Sequence, residues 1–269
     1  MNAPSELEIA ELVELGEAEA YADMFEAASP AMGFQVERLG DAVALIAPST
    51  PIFLFNRVIG LGLEEAVPDA ILEQVTALYA GNSVYGLHRT PITRLEPDQL
   101  ERFGLRAAGR WAKVYRQATT DVDVPTALEI VQVGPERAEE FAQVAIIAHG
   151  MPPAMASWTA ALVGRPNWHA YAALEANRIV SVGMSFVRGD VAWLGLGGTL
   201  PSYRQRGAQG AIMARRIRDA AALGCAWVIT ETGEDLPESP NPSFHNMIRT
   251  GFKLAYQRQN YIFQAARGQ

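Results

Sequence analysis

The residues best suited to chemistry lie in one run, Trp193-Leu194-Gly195-Leu196-Gly197-Gly198-Thr199-Leu200-Pro201-Ser202-Tyr203-Arg204-Gln205-Arg206-Gly207-Ala208-Gln209-Gly210-Ala211. It reads as an apolar strand that passes through a turn into a helix. Glycine at 207 lets the backbone approach a ligand and expose successive N–H groups, which a side chain there would hinder. The helix opening at this glycine aims its positive end at the same place, and Arg204 and Arg206 add two cationic charges. Charge-assisted hydrogen bonds of about 1.5–3 kcal/mol each make this the strongest anion site in the sequence. Two commoner phosphate binders are excluded. Gly195, Gly197 and Gly198 precede a proline rather than opening a helix, so this is not a dinucleotide fingerprint, and there is no Gly-Lys-Ser or Gly-Lys-Thr of a P-loop.

Three residues could move protons. Glu231 ends a predicted strand at 226–230, His245 lies one turn into a predicted helix at 242–250, and Tyr261 is on a final strand at 255–263. Each has an ordinary alternative: a solvated carboxylate, an exposed helix residue, a packed sheet residue. The histidines, His88, His149, His169 and His245, show no i,i+4 pairing and no cysteine neighbour, so no metal site is expected. Ser157, Ser185 and Ser243 lack a Gly-x-Ser-x-Gly setting, which removes the hydrolase triad. The single cysteine, Cys225, reads as a buried thiol.

Two similar halves must position these residues. Ser5 and Glu8 form a capping-box pattern before a helix over 7–25. Strands are expected at 34–39, 42–46, 52–55, 84–87 and 111–116, with helices at 68–80 and 97–103. Residues 118–126, with Thr119, Thr120, Asp121, Asp123 and Pro125, read as a linker. Beyond it come a strand at 128–133, a helix from 135, strands at 169–175, 179–188 and 191–196, a helix at 207–223, a strand at 226–230, then the Asn241-led helix and the last strand. Arg102-Phe103-Gly104-Leu105-Arg106-Ala107-Ala108 aligns with Arg249-Thr250-Gly251-Phe252-Lys253-Leu254-Ala255, an offset too long for a solenoid repeat and suited to a duplicated domain.

With Arg204, Gly207, Pro201 and Tyr203 in place, the chain resembles the GNAT superfamily of acyl-CoA-dependent acyltransferases, whose pyrophosphate loop reads Arg-x-x-Gly-x-Gly/Ala. Gln209 departs from that pattern, but its side chain can turn away and leave its N–H in place. Asn241-Pro242-Ser243 through Gly251-Phe252 is similar to the family's last helix. The resemblance implies an α+β protein of two tandem GNAT-like domains, each a mixed central sheet flanked by helices: 1–117 degenerate, 118–126 linker, 127–269 acyl-CoA-binding. It implies acetyl-CoA or another acyl-CoA as donor, held by Leu196, Gly197, Gly198, Thr199, Arg204, Gln205, Arg206, Gly207, Ala208, Gln209, Gly210 and Ala211, with Asn241 and Phe244 flanking the thiol arm. Direct transfer to a primary amine of a small molecule or peptide follows, with a non-catalytic acyl-CoA sensor as the rival reading. The family's acid, a tyrosine four residues before Gly-Phe, is Met247 here. The segment 149–158 falls where acceptor-covering helices are expected, as an apolar lid or as core. In the first half Glu64, Glu65 and Asp69 stand where an anion would be repelled.

Composition sets the outer bounds. The chain has 269 residues, 49% hydrophobic residues and a net charge of -8. That supports a packed core, argues against a nucleic-acid partner and mildly favours a cationic or neutral small substrate. No apolar run long enough for a membrane span occurs, and the acidic N-terminus is unlike a signal peptide, so a cytoplasmic protein is expected, with oligomerisation left open.

Overall fold

Ser5 caps the first helix as its sequence pattern requires. Its Oγ accepts from the Glu8 amide at 3.2 Å while the Glu8 carboxylate accepts from the Ser5 amide at 2.7 Å. The computed structural model describes residues 4–63 and 65–265. Glu64 therefore lies outside the described residues. The elements are α1 (Glu6–Glu26), β1 (Gln35–Leu39), β2 (Ala42–Ile46), β3 (Arg57–Ile59), α2 (Asp69–Leu78), β4 (Val84–Arg89), α3 (Pro97–Arg102), β5 (Arg106–Gln117), β6 (Glu129–Val133), α4 (Ala138–His149), α5 (Ala156–Ala161), β7 (Trp168–Glu175), β8 (Arg178–Arg188), β9 (Val191–Thr199), α6 (Ala208–Ala222), β10 (Trp227–Gly233), α7 (Pro242–Arg249) and β11 (Lys253–Gln264). Residues 52–55, expected as a strand, instead carry a 3-10 turn, Phe53–Phe55. Buried Asn56 follows, and its side chain binds the carbonyls of Thr50 and Ile52, which folds the chain back before β3 can start.

The chain divides into two compact units. The first comprises Met1–Lys113, Thr232–Pro240 and Leu254–Gln269; the second comprises Val114–Glu231 and Asn241–Lys253. Residues 254–265, expected in the second domain, thus cluster with the first. The reason is hydrogen bonding: β11 runs antiparallel to β4, from Gln259 opposite Arg89 to Gln264 opposite Val84. The sheet of the first unit runs β1-β2-β3-β4-β11, and its core gathers Val58, Leu72, Val75, Tyr85, Leu87, Leu95, Leu100 and Tyr261. Inside this unit lies a buried ion cluster, with Glu14 and Glu17 of α1 meeting Arg57, Lys113 and Arg258, all at 0% exposure.

The repeat seen in the sequence is a repeat of geometry. Gly104 and Gly251 both adopt left-handed backbone, with φ of 79° and 86°. Leu105 N bonds Leu100 O at 3.1 Å, and Phe252 N bonds Met247 O at 3.0 Å. Each is the closing bond of a glycine-terminated helix that releases the chain into a strand. The residues after each glycine, Leu105 and Phe252, are buried.

In the second unit the sheet order is β10-β9-β8-β7-β6. The run β6 to β9 is an antiparallel meander, and β10 joins β9 in parallel. Helix α6 buries Ala211, Ile212, Met213, Ala214, Ile217 and Ala220. Helix α4 covers the other face with Phe141, Ala142, Val144 and Ala145. The expected linker has no regular structure, but it is tied down. Arg218 donates to Val122 O at 2.8 Å, and Thr126 Oγ1 donates to Arg206 O at 2.9 Å. Among the described residues no helix is long and apolar enough to cross a membrane.

Candidate active site

A parallel strand pair that separates leaves a gap lined by backbone. Strands β9 and β10 pair only from Val191 opposite Trp227 to Trp193 opposite Ile229. At the next step a side chain replaces the ladder, as Thr230 Oγ1 donates to Leu194 O at 2.7 Å. Strand β9 continues to Thr199 and β10 to Gly233, and among the described residues their register with each other goes no further than Trp193 opposite Ile229.

Strand β9 changes register where the gap opens. Val182 stands opposite Gly198 and Met184 opposite Gly195, so Leu196 and Gly197 share the place across from Gly183. This is a β-bulge, one extra residue that turns the local peptides away from the ladder. Leu196 sits at φ 50°, a conformation that costs a leucine about 1–3 kcal/mol and persists only where its surroundings impose it. Two side chains of α6 supply what the bulge has lost. Arg216 Nη1 donates to Met184 O at 2.9 Å and to Gly195 O at 3.2 Å, and Gln209 Nε2 donates to Ser181 Oγ at 2.8 Å and Val182 O at 3.1 Å. The glycines make room for them, since a Cβ on Gly197 would come within 2.8 Å of Gln209 Oε1. Gln209, the departure from the family pattern, has therefore turned its side chain into the sheet. Arg216 is 3% exposed, and burial pulls its pKa down to about 10.

The loop after β9 ends in Gly207 at φ 79°, the cap of α6, with no side chain capping the helix. Among the described residues, the amides of Gln205 to Gly210 have no hydrogen-bond acceptor within the chain. Gly207 is exposed, and a Cβ on it would lie 3.0 Å from Pro125 O, so the glycine also admits the chain's own linker. Arg204 is exposed. Arg206 is engaged, paired with Glu175 and lying 5.4 Å over the Tyr203 ring. Ala208 and Ala211 are buried in the helix packing.

The proton-transfer candidates part company. Glu231, half-buried, stands two residues past the last β9–β10 pair and accepts from Trp193 Nε1 at 3.2 Å. The Trp193 ring folds over Gly195, where no side chain would fit. His245 is exposed on α7, with its ring 6.2 Å from that of Phe244. Tyr261 is not gathered with them. It is 6% exposed, stands opposite Leu87, and belongs to the core of the first unit rather than to the unit that carries the loop. Asn241 uses its Oδ1 to cap α7, accepting from Ser243 N at 2.9 Å and Phe244 N at 3.3 Å. Phe244 packs on the core that holds Met247 and Phe252. In the segment 149–158, Met155 and Trp158 are buried in the core.

One residue that sequence reading set aside is placed at the bulge. His149, the last residue of α4, puts Nε2 3.1 Å from where a Cβ on Gly198 would stand, with Ala148 Cβ at 2.7 Å from the same point. Desolvation against β9 holds its imidazole below the ordinary value, partly offset by the Leu196 carbonyl that attracts its N–H. The residue nonetheless keeps an exposed surface. The glycine run at 195–198 was the signal that a side chain from another element comes close, but it does not say which. Among the described residues no three His, Cys, Asp or Glu side chains are grouped to hold a metal ion.

No family model matches the sequence, and no curated protein matches it. Solved structures do. A GCN5-related N-acetyltransferase from Kribbella flavida aligns over 95% of this chain and 96% of its own, with 14% identity and a TM-score of 0.63. One from Sphaerobacter thermophilus covers 100% and 96%, with 13% identity and a TM-score of 0.62. A tandem GNAT protein from the clavulanic acid biosynthesis pathway covers 97% and 96%, with 14% identity and a TM-score of 0.58. The separated strands, the bulge and the glycine-opened helix are thus parts of a chain that has the fold of the GCN5-related N-acetyltransferases.

Proposed function

We propose that the second unit binds an acyl-CoA and transfers its acyl group, acetyl in the simplest case, to the amine of a small molecule or peptide. The observation that carries this reading is the end of the β9–β10 pairing beside a helix whose first amides have no acceptor among the described residues. A diphosphate suits those amides and the helix's positive end, with the exposed Arg204 beside them. The β9 edge from Gly197 to Thr199, which lies past the last pair with β10, suits the amide groups of a pantetheine arm, which can pair as an added strand. Attack is direct in this reading, since among the described residues none of those at 195–199 or 230–233 is a cysteine and Cys225 is buried. Glu231 is a candidate to receive a proton through water, and His245 remains a candidate at greater exposure.

Calorimetry with CoA tests the donor site. Arg204→Glu is expected to weaken binding at least about tenfold, the loss of one charge-assisted contact of about 1.5 kcal/mol or more; unchanged affinity refutes the assignment. Thiol release from acetyl-CoA over a panel of amines and peptides tests transfer. Tight CoA binding without turnover on any of them would instead support a sensor.

A further inference from the structure

The β9 bulge is contacted from both faces, and the two contacts differ in kind. From α6 come Gln209 and Arg216, which donate to the Ser181 hydroxyl and to strand carbonyls. From α4 comes His149, which packs on Gly198 and keeps an exposed surface. A neutral imidazole has one N–H and one lone pair. Whichever nitrogen carries the proton, the other is left as a base. The contact depends on residue 198 having no side chain, and Gly150 ends α4 in left-handed backbone directly after His149, at φ 62°. A titratable group is thus held at the strained peptide where the two strands separate.

We propose that His149 faces the acyl end of the bound donor and accepts the proton released by the attacking amine. This rests on the donor-binding reading above. The amine nitrogen attacks the thioester carbonyl carbon, the C–N bond forms and the C–S bond breaks. The thiolate departs and takes a proton from solvent, while His149 removes the extra proton from nitrogen and later returns it to solvent. The products are an amide and CoA thiol, with no further reactant required.

Bromoacetyl-CoA tests the placement on the full chain without an identified acceptor. A nucleophilic nitrogen within reach of the acyl carbon forms a C–N bond to its methylene, bromide leaves, and a proton passes to solvent. Peptide mass spectrometry is expected to find the adduct on His149, suppressed by excess CoA and absent in His149→Gln, while that variant binds CoA within about threefold of wild type. CoA bound by calorimetry with the adduct elsewhere, or with none, overturns this proposal and leaves the donor site standing. Absence of CoA binding overturns both. For the proton-accepting role, His149→Gln is expected to lower kcat roughly a hundredfold with little change in KM, as loss of a general base does; equal kcat, or a panel with no turnover, overturns that role.

Discussion

Glu17→Gln removes one negative charge from the ion cluster of the first unit and nothing else of consequence in volume. The Glu17 carboxylate lies 2.9 Å from Arg57 Nη2 and 2.5 Å from both Lys113 Nζ and Arg258 Nη1. Glu14 reaches Arg258 at 2.9 Å and accepts from Tyr256 OH at 2.7 Å. Three cations therefore face two carboxylates, and the variant leaves them facing one. Breaking a buried pair in this way costs about 3–5 kcal/mol, because the orphaned charges stay dry. A glutamine can still accept hydrogen bonds, so the lower end, about 3 kcal/mol, is expected. For a chain of this size that corresponds to a fall in Tm of roughly 6–12 °C. Urea denaturation followed by tryptophan fluorescence is the suitable assay, since Trp111 lies 4.7 Å from the Arg57 guanidinium and 5.2 Å from that of Arg258. The pH dependence has a fixed sign. Burial alone would raise the Glu17 pKa, but Arg258, Lys113 and Arg57 together hold it well below the usual carboxylate value. Its contribution is then fully present above the ordinary value near 4.5 and is lost as the pH falls through the depressed one. Wild type and variant should differ most at neutral pH and converge in acid. A loss below about 1 kcal/mol, the worth of an exposed pair, or a difference that does not shrink in acid, would refute the reasoning.

Two further outcomes bear on the second unit. Gly207→Ala should cost about 1–2 kcal/mol in urea denaturation, from left-handed backbone and contact with Pro125 O; no loss would mean that the loop relaxes freely. Arg216→Met should cost about 1–3 kcal/mol by orphaning the Met184 and Gly195 carbonyls, and an equally stable variant would show that Arg216 does not hold the bulge.

The loop was legible in the sequence because its chemistry is local. Gly207 opens a helix that must follow β9 directly, and glycine, charge and helix end are neighbours along the chain. The helix terminators at Gly104 and Gly251 were legible for the same reason, since the bonds that close them span five residues. Ser5 and Glu8 likewise cap α1 within one turn.

What the sequence by itself determined was these short-range devices and the order of the elements. Only the tertiary structure decided which distant residues share a site. Tyr261 read as a residue of the second half until β11 paired with β4 and carried it into the other core. Nothing local points Glu14 and Glu17 to their partners, because Arg57, Lys113 and Arg258 are spread from position 57 to position 258. His149 and Gly198 lie 49 positions apart and meet only when α4 lies across β9. Periodicity and capping act over one or two turns of chain, whereas strand exchange, buried ion pairing and the approach of a side chain to a glycine are decided by packing between segments that no local pattern links.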